Sequence, residues 1–449
     1  MLIHSLKDKD PASIALKLSQ LRDFVWLDSA RPSSPQSRWS ILSAAPSARL
    51  VFWSDGRIEI DGNTQSEQPL HVLEDFALNT PAARGSIHDF EVTSYAIGYL
   101  TYEFARLLPI GQTLRPRAGE PKIVGQFGRY QSLIAIDHTR DQAWLLSHDS
   151  THAALLEDCL NHRKAPPLPN TVALPWIADE DGADFVSKVK KLQDYIAAGD
   201  LYQANLAQRF TADLPPGFSP LAHYLTLRTV NPAPFASFMD FGHTTILSAS
   251  PERLFSLDQR GRAEARPIKG TARSYDDPAR DKQAADELLN SAKDRAENTM
   301  IVDLLRNDFS KVCDPGSVKV PQLCGLETYE GLHHLVSVIH GDLNASKTTD
   351  LIDACFPGGS ITGAPKQRAM EIIDELEGRN RGIFCGAMGF INAFGTMDLN
   401  IPIRTVEISN GRAELHVGGG ITHLSDPEAE YQETLLKAEK IRAVGGTGL

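Results

Sequence analysis

Four acidic residues lie in two pairs whose spacing suits metal binding. Asp294 and Glu297 are three residues apart in KDRAENTMIVDLLRND, and Glu430 and Glu433 are three apart in DPEAEYQETLLKAEKI. Residues three apart on a helix share one face, and Mg²⁺ favours a few carboxylates together with waters or substrate oxygens. Two such helices facing one cavity could therefore bind Mg²⁺. Acidic pairs are also common on solvated helix faces, so the spacing alone leaves both interpretations open.

Two glycine-rich segments could bring backbone close to a ligand. PGGSITGAPK, residues 357–366, precedes a helix predicted to begin at Pro365, and the free amides of a helix start favour an anion. The order of these residues is not that of a phosphate-binding Walker loop, so a carboxylate fits as well as a phosphate. Gly418, Gly419 and Gly420 follow a predicted strand, where ligand approach and a plain turn are equally compatible with the pattern.

Composition and charge narrow the class of protein. The chain has 449 residues, of which 42% are hydrophobic and 23% charged, and its net charge is −12. Such an acidic balance disfavours nucleic-acid binding, which depends on excess lysine and arginine. The N-terminal segment lacks the pattern of a secretion signal, and no apolar run reaches the length of about 18 residues that spans a bilayer. Five scattered cysteines, an odd number, form no metal or disulfide pattern. We expect a folded cytoplasmic protein.

The elements that must position these residues change character along the chain. Hairpin patterns, LVFW-SDG-RIEI and SLIAID-HTRD-QAWLL, fill the first 150 residues, and a proline-rich stretch at 162–175 interrupts them. Beyond it, helical spacing begins at Asp184 and ends near Gly199. Further helices are predicted at about 280–308, 365–377 and 427–443, and strands at LVSVIHGDL, FCGAMGFINAF and the hairpin TVEIS-NG-RAELHV. We predict an N-terminal β-rich lobe at residues 1–165 and a mixed catalytic domain at 178–449.

Six ordered blocks of the sequence resemble the chorismate-utilising enzymes. This family includes anthranilate synthase component I, aminodeoxychorismate synthase component I, isochorismate synthase and salicylate synthase. The blocks are SASPERL (248–254), RPIKGTA (266–272), AENTMIVDLLRND (296–308), HHLVS (333–337), PGGSITGAPKQRAMEII (357–373) and VGGGITHLSDPEAEYQET (417–434). The resemblance implies an α+β fold like that of anthranilate synthase component I. In this fold, antiparallel sheets form a large mixed β-sandwich core and helices pack outside.

One position in these blocks separates the activities of the family. Lys269 stands in Pro-Ile-Lys-Gly-Thr, where the anthranilate-type motif has alanine, and lysine there resembles the aminodeoxychorismate synthase branch. Desolvation or a neighbouring cation lowers the pKa of a lysine amine from about 10.4, which allows it to act as a nucleophile. The resemblance implies conversion of chorismate and ammonia to 4-amino-4-deoxychorismate, on the route to p-aminobenzoate and folate. The alternative within the family is anthranilate synthase component I.

The resemblance also assigns roles to residues around Lys269. The lysine adds at C2 of chorismate as the C4 hydroxyl leaves, and ammonia then attacks C4 and expels the lysine. Glu252 matches the general acid that protonates the leaving hydroxyl, a role worth about 10² to 10⁴ in rate. Gln203 stands where isochorismate and salicylate synthases resemble one another in having a water-activating lysine, and glutamine cannot be that base. His334 matches a histidine near the C4 or pyruvyl side.

Metal and substrate contacts are carried over in the same way. Glu297 and Glu433 match the Mg²⁺ ligands, and Asp294 and Glu430 match residues that hold coordinated waters. Arg404 lies in the strand-like LNIPIRTVEI. It would be costly if buried without a partner, so it needs an anion or a surface position, and a bound carboxylate would suit it. Phe384 stands where several relatives have a tyrosine. The matched substrate-contacting positions are Gln203, Gly270, Thr271, Thr362, Phe384, Arg404, Gly418, Gly419, Gly420 and Lys437.

Two partners follow from the resemblance. No stretch resembles the nucleophile region of a glutamine amidotransferase, so a separate glutaminase subunit is expected to supply ammonia. The N-terminal lobe could also bind tryptophan, as in relatives. The matching positions for tryptophan are Ser29, Arg38, Trp39 and Pro234.

Overall fold

The computed structural model describes residues 2–30, 36–78, 85–114, 122–329, 332–345 and 347–446. Up to residue 178, the elements are β1 (Leu2–Ser5), α1 (Pro11–Leu18), β2 (Phe24–Asp28), β3 (Trp39–Ser43), β4 (Ala48–Trp53), β5 (Ile58–Ile60), β6 (Asn63–Gln65), α2 (Pro69–Leu78), β7 (Ser86–Ile87), β8 (Phe90–Glu91), β9 (Tyr95–Leu100), β10 (Ile123–Tyr130), β11 (Ser132–Asp137), β12 (Gln142–Ser147), α3 (Ser150–His162) and β13 (Ile177–Ala178).

The remainder of the chain carries the longer helices. Its elements are α4 (Gly182–Ala197), β14 (Gln203–Asp213), α5 (Pro220–Val230), β15 (Phe235–Asp240), β16 (Thr244–Ser250), β17 (Arg253–Leu257), β18 (Arg262–Ala265), β19 (Ile268–Arg273), α6 (Pro278–Leu289), α7 (Ala292–Ser310), β20 (Lys319–Tyr329), β21 (Leu332–Asp342), α8 (Asp350–Cys355), β22 (Gly363–Ala364), α9 (Lys366–Glu377), β23 (Ala387–Asn392), β24 (Met397–Asn400), β25 (Thr405–Ser409), β26 (Arg412–Ile421) and α10 (Pro427–Arg442). Short 3-10 helices lie at Tyr102–Leu107, Pro109–Gly111 and Gly359–Ile361.

Two twelve-stranded sheets dominate the molecule. The first has the order β1-β12-β11-β3-β2-β15-β16-β25-β26-β14-β13, with β22 beside β14. The second has the order β19-β21-β18-β17-β24-β23-β9-β10-β4-β5-β6, with β20 beside β21. Each sheet joins strands from both parts of the chain, because β2 pairs antiparallel with β15 and β9 pairs antiparallel with β23. The division at residues 1–165 and 178–449 stays a prediction.

The two sheets pack face to face, and helices cover their outer faces. In β2, Val25 faces the second sheet, whereas Phe24 and Trp26 face the helices of the first sheet, as the alternation of side chains along a strand requires. In β9, Ile97 lies between the sheets and Leu100 packs with the outer cluster that includes α7 and α8. Burying a large apolar side chain contributes about 1.5–3 kcal/mol. The predicted α+β sandwich is therefore confirmed.

Local signals in the sequence account for many element boundaries. The hairpin β25–β26 turns at Asn410 and Gly411, both of which have positive φ, as a tight two-residue turn requires. Asp426 accepts a hydrogen bond from the Ala429 amide at 2.8 Å and so caps α10. Among the described residues, no helix combines the length and apolar character needed to cross a bilayer.

Three local predictions need correction. The helix predicted over 280–308 is two helices, because Ser291 interrupts it and caps the second. Pro365 is the N-cap of α9 rather than its first helical residue. Arg404 lies just before β25 with φ of +53°, so it belongs to a connecting bend and not to a strand.

Candidate active site

Lys269 lies on β19 at an irregularity that presses this strand against α7. The pairing register of β19 with β21 shifts between Lys269 and Thr271, and the intervening Gly270 has φ of +79°. A Cβ atom at residue 270 would lie 2.9 Å from Cβ of Asp294 and 3.0 Å from Leu288. Only glycine suits this position, for its backbone conformation and for the close approach of the helix. The bulge therefore brings the motif of Lys269 directly beside the first acidic pair.

Glu252 occupies the link between β16 and β17, near Lys269. The hydroxyl of Ser360 donates a hydrogen bond of 2.7 Å to Oε1 of Glu252. Burial raises the pKa of the Glu252 carboxyl above its ordinary value. The charge of Lys269 and the Ser360 hydrogen bond oppose this rise, as do the charges of Arg404 and Lys437. The carboxyl therefore lies among three cationic side chains while burial favours its protonated form.

His334 and Thr271 face each other across the β19–β21 pair. They are register partners, and Oγ1 of Thr271 lies 3.0 Å from Nδ1 of His334. Thr271 is exposed and His334 is half-buried. Both predicted residues therefore stand together at the accessible end of the strand that carries Lys269.

The three glycines at the end of β26 make room for side chains of the site. A Cβ at residue 419 would lie 3.1 Å from Oε2 of Glu430 and 3.7 Å from Oε1 of Glu433. A Cβ at residue 420 would collide with the amide group of Gln203. Lys437 donates to the carbonyl oxygen of Gly418 at 2.9 Å. The glycine segment is therefore regular β-strand with side chains crowded against it, rather than a turn.

The second acidic pair lies on the first turns of α10. Burial raises the pKa of Glu430, and the neighbouring charge of Glu433 raises it further, while a Ser425 hydrogen bond of 2.7 Å opposes the rise. Lys437 forms an ion pair of 2.7 Å with Glu433. The charge of Lys293, on α7, also acts on Glu430. The two helices that carry the acidic pairs therefore approach each other.

The first pair is partly engaged in holding its own helix. Ser291 and Asp294 bond to each other through their side chains, and the amide of Asp294 donates to Ser291 at 3.3 Å. This is a capping arrangement at the start of α7. Glu297 is half-buried one turn further along. Within the described ranges no three His, Cys, Asp or Glu side chains converge in a geometry that could hold a metal ion.

Three other predicted substrate positions, Thr362, Phe384 and Arg404, differ in burial. Thr362 is buried and donates to the carbonyl of Gly358 at 2.9 Å. Phe384 is buried with its ring stacked on His416, with 5.6 Å between centroids. Arg404 is exposed, and its charge acts on Glu252. The structure therefore supports the expected surface position for Arg404 and leaves its guanidinium close to the general-acid candidate.

The four predicted tryptophan-binding residues line a separate cavity of about 850 Å³. Ser29, Arg38, Trp39 and Pro234 all border it, together with residues of both sheets. Arg38 already pairs there with Asp137 at 2.9 Å and with Asp89 at 2.5 Å. Lys269 and Glu252 are not among the residues that line this cavity.

The chain matches known proteins over most of its length. Residues 23–443 match the family described as chorismate binding enzyme. The chain belongs to this family. A relative of this chorismate-binding enzyme from Escherichia coli K12, named aminodeoxychorismate synthase component 1, is 39% identical over 434 residues, 95% of this chain and 94% of the relative. A relative of the same name from Klebsiella aerogenes is 43% identical over 316 residues, 70% of this chain and 69% of the relative.

Solved structures show the same fold. Anthranilate synthase component I from Streptococcus pneumoniae superposes on this chorismate-binding enzyme with a TM-score of 0.79 and 32% identity, covering 90% of this chain and 92% of that one. The menaquinone-specific isochorismate synthase from Escherichia coli gives a TM-score of 0.73 at 17% identity, covering 99% and 94%. The second likeness concerns the fold alone.

Two residues of the site were not predicted from the sequence. Ser360, which bonds Glu252, lies inside PGGSITGAPK, so its hydroxyl was visible there but its partner lies 108 residues away. Arg381 is only 2% exposed and lies behind Phe384. A charged residue at that position gives no local sign that it is buried.

Proposed function

We propose that this chorismate-binding enzyme is the chorismate-converting component of an aminodeoxychorismate synthase. It takes chorismate and ammonia to 4-amino-4-deoxychorismate and water, on the route to p-aminobenzoate and folate. The observation that carries the proposal is the half-buried carboxyl of Glu252, which accepts a hydrogen bond from Ser360 and lies within range of the Lys269 charge. The relatives named aminodeoxychorismate synthase component 1 support it.

Lys269 acts as the first nucleophile. Its uncharged amine forms a bond to C2 of chorismate as the C4–O bond breaks. The two conjugated ring double bonds shift together, from C1=C2 and C5=C6 to C1=C6 and C4=C5. Glu252 donates a proton to the departing oxygen, which leaves as water. Because burial raises the pKa of Glu252, the carboxyl keeps its proton at a higher pH than an exposed glutamate would, which a general acid requires.

Ammonia completes the reaction in the second displacement. It forms a bond to C4 as the bond between C2 and the Lys269 nitrogen breaks, so both ring double bonds return to their first positions. The lysine leaves as the neutral amine. The new ammonium group at C4 gives one proton to the Glu252 carboxylate, which restores the general acid. Gln203 lines this wall: it is 2% exposed, and its Oε1 has no hydrogen-bond partner within the described residues. A glutamine oxygen can accept a hydrogen bond from ammonia but cannot deprotonate water, which disfavours addition of water at C2.

Magnesium is the proposed cofactor. Glu297 and Glu433 would hold it, and Asp294 and Glu430 would hold its waters. The close negative charges of Glu430 and Glu433 fit a cation, and Mg²⁺ commonly uses only one or two carboxylates plus waters and substrate oxygens. When bound, Mg²⁺ supplies electrostatic clamping of the ring carboxylate. Lys437 then compensates further negative charge near the glycine strand, where it already contacts the Gly418 carbonyl.

A separate glutaminase subunit supplies the ammonia, in keeping with the designation component 1 of the relatives. The enzyme works in the cytoplasm, where a reducing environment suits its five buried free cysteines. The cavity bordered by Arg38 and Trp39 is proposed to hold tryptophan. Its volume suits a small molecule. Its lining includes the rings of Trp39 and Phe90 and the carboxylate of Asp89, which offer stacking and amine-binding groups.

One assay tests the activity. The purified chain is incubated with chorismate, ammonium and Mg²⁺, and the products are separated and weighed by mass spectrometry. We expect 4-amino-4-deoxychorismate, and no product in a parallel sample with a chelator. Direct appearance of fluorescent anthranilate would identify an anthranilate synthase component I instead, the activity named for the Streptococcus pneumoniae structure.

A further inference from the structure

Arg381 is a buried arginine that the proposed chemistry does not use. It lies in the turn between α9 and β23 and is 2% exposed. Its guanidinium forms a two-pronged contact with Glu377, with Nε to Oε2 at 2.9 Å and Nη2 to Oε1 at 2.6 Å. The ring of Tyr102 lies 4.8 Å from the guanidinium carbon. Such a pair is expensive to bury, and apolar residues of similar volume often stabilise a protein as well. Stability alone therefore gives no reason for an arginine here.

The remaining hydrogen bonds of Arg381 go to two backbone segments. Nη1 donates to the carbonyl of Ile361 at 3.2 Å, and Nη2 donates to the carbonyl of Asn205 at 2.8 Å. Glu377 in turn accepts from the amide of Ala207 at 2.9 Å. The pair therefore joins α9, β14 and the 3-10 helix at Gly359–Ile361.

Each of these segments carries a residue of the proposed site. The 3-10 helix carries Ser360, which bonds Glu252 at 2.7 Å. It leads into Thr362, whose carbonyl accepts from the Asn205 amide at 2.7 Å. The strand segment at Asn205 begins at Gln203. The ring of Phe384 lies 5.6 Å from the guanidinium carbon. Arg381 therefore bonds the two segments that carry Ser360, Thr362 and Gln203, and it lies against the ring of Phe384.

We infer that Arg381 is a positioning residue of the chorismate site. By bonding the carbonyls of Ile361 and Asn205 at once, it fixes Ser360 against Glu252 and fixes the distance between the Thr362 and Gln203 walls. The inference rests on the proposed function, since those four residues matter only if the pocket binds chorismate. The planar fork is essential, because a lysine keeps the charge but cannot make four directed bonds.

The variant Arg381→Lys tests this role. We expect kcat/KM for chorismate to fall by about tenfold to a hundredfold, the range that small misplacements in an active site can cause. Its matched control is Arg228→Lys, because Arg228 also makes a two-pronged bond to a buried carboxylate, Asp28, beside an aromatic ring. Arg228 lies on α5, outside the proposed site. We expect the control to keep kcat/KM within about twofold. An Arg381→Lys variant that also stays within twofold would overturn the inference.

A second measurement separates positioning from stability. We expect kcat to fall as pH rises and Glu252 loses its proton. The Ser360 hydrogen bond lowers the pKa of that carboxyl. Loosening the 3-10 helix weakens this bond, so the alkaline limb should move to higher pH in Arg381→Lys and not in Arg228→Lys. The groups that also face Glu252 stay in place in both variants: Lys269, Arg404, Lys437 and Cys385. An unmoved limb would contradict the inference.

Two safeguards keep the test decisive. If Arg381→Lys fails to fold, the pair Arg381→Met with Glu377→Gln removes the charges together and keeps an acceptor for the Ala207 amide. The same loss of kcat/KM is expected, and wild-type kinetics in a folded double variant would refute the role. Chorismate affinity is measured without ammonia by titration calorimetry. A wild-type chain that binds chorismate but makes no aminodeoxychorismate would defeat the proposed function, while the ratio of affinities would still decide the role of Arg381.

Discussion

The pocket around Glu252 and the cavity around Arg38 treat charge in opposite ways. In the cavity, Arg38 is paired with Asp137 and Asp89, so its charge is neutralised within the protein. In the pocket, Glu252 lies among the charges of Lys269, Arg404 and Lys437, while burial raises its pKa. Paired charges favour a stable binding wall, whereas a half-buried acid surrounded by several cationic side chains is typical of a reactive site. The difference indicates that the residues around Glu252, and not those around Arg38, perform the chemistry.

Removal of the Lys269 amine should have the largest effect. Lys269→Ala is expected to abolish aminodeoxychorismate formation, because no other amine of the site is proposed to bond C2. Product formation from chorismate and ammonium, followed by mass spectrometry, measures the effect. Chorismate binding should survive, since the variant keeps the glycine and metal walls. Residual turnover within tenfold of wild type would contradict the nucleophilic role of Lys269, and with it the proposed difference between the two regions.

Loss of the Glu252 proton donor should have the next largest effect. Glu252→Gln is expected to reduce kcat by about 10² to 10⁴, the usual contribution of a general acid. In the unmodified enzyme, activity should decline as pH rises through the raised pKa of this carboxyl, because the deprotonated form cannot donate. The alkaline limb should be absent in the glutamine variant. A pH profile unchanged by the substitution would assign the proton to another group.

On the cavity side, the effect should be on stability and not on rate. Although burial opposes it, hydrogen bonds from Arg38, Thr139 and Arg140 hold the pKa of Asp137 well below its usual range. A depressed folded-state pKa gives stability that is present at neutral pH and lost as pH falls below the unfolded value. Asp137→Asn should lower the free energy of unfolding by about 2 kcal/mol at pH 7, and by less at pH 3. Urea unfolding at both pH values measures this, and equal losses would contradict it.

The smallest effect concerns Phe384, where several relatives have a tyrosine. Phe384→Tyr should restore a substrate hydrogen bond and lower the KM for chorismate by an amount equivalent to about 0.5–1.5 kcal/mol, with kcat unchanged. Initial-rate kinetics over a range of chorismate concentrations measure it. Because the ring is buried against His416, a raised KM would mean that the added hydroxyl has no partner.

Local structure was readable from the sequence where local residues decide it. The stop at Gly199 and the Asn410–Gly411 turn were both predicted by residue type. The break at Ser291 was missed, because apolar and acidic spacing continues across it and hides the cap. The pairing of β2 with β15 and of β9 with β23 could not be predicted, since strand partners distant in sequence leave no local trace.

The candidate site shows the same contrast between features that local sequence decides and features that long-range contacts decide. The types of Lys269, Glu252 and the acidic pairs were recognisable from motifs, but their surroundings were not. The bond from Ser360 to Glu252 and those from Arg381 to Ile361 and Asn205 join residues far apart in the chain. Only the folded sheets bring them together, so burial and partners had to come from the structure.

The central claim is that Lys269 forms a covalent bond to the ring of chorismate. The protein is exposed to chorismate and Mg²⁺ without ammonia, digested, and its peptides are weighed by mass spectrometry. The account predicts a peptide containing Pro267 to Thr271 that is heavier by chorismate minus water, with the modification on Lys269, and its disappearance when ammonium is added. Active enzyme whose Lys269 peptide stays unmodified under these conditions, while ammonium still yields aminodeoxychorismate, would contradict the account.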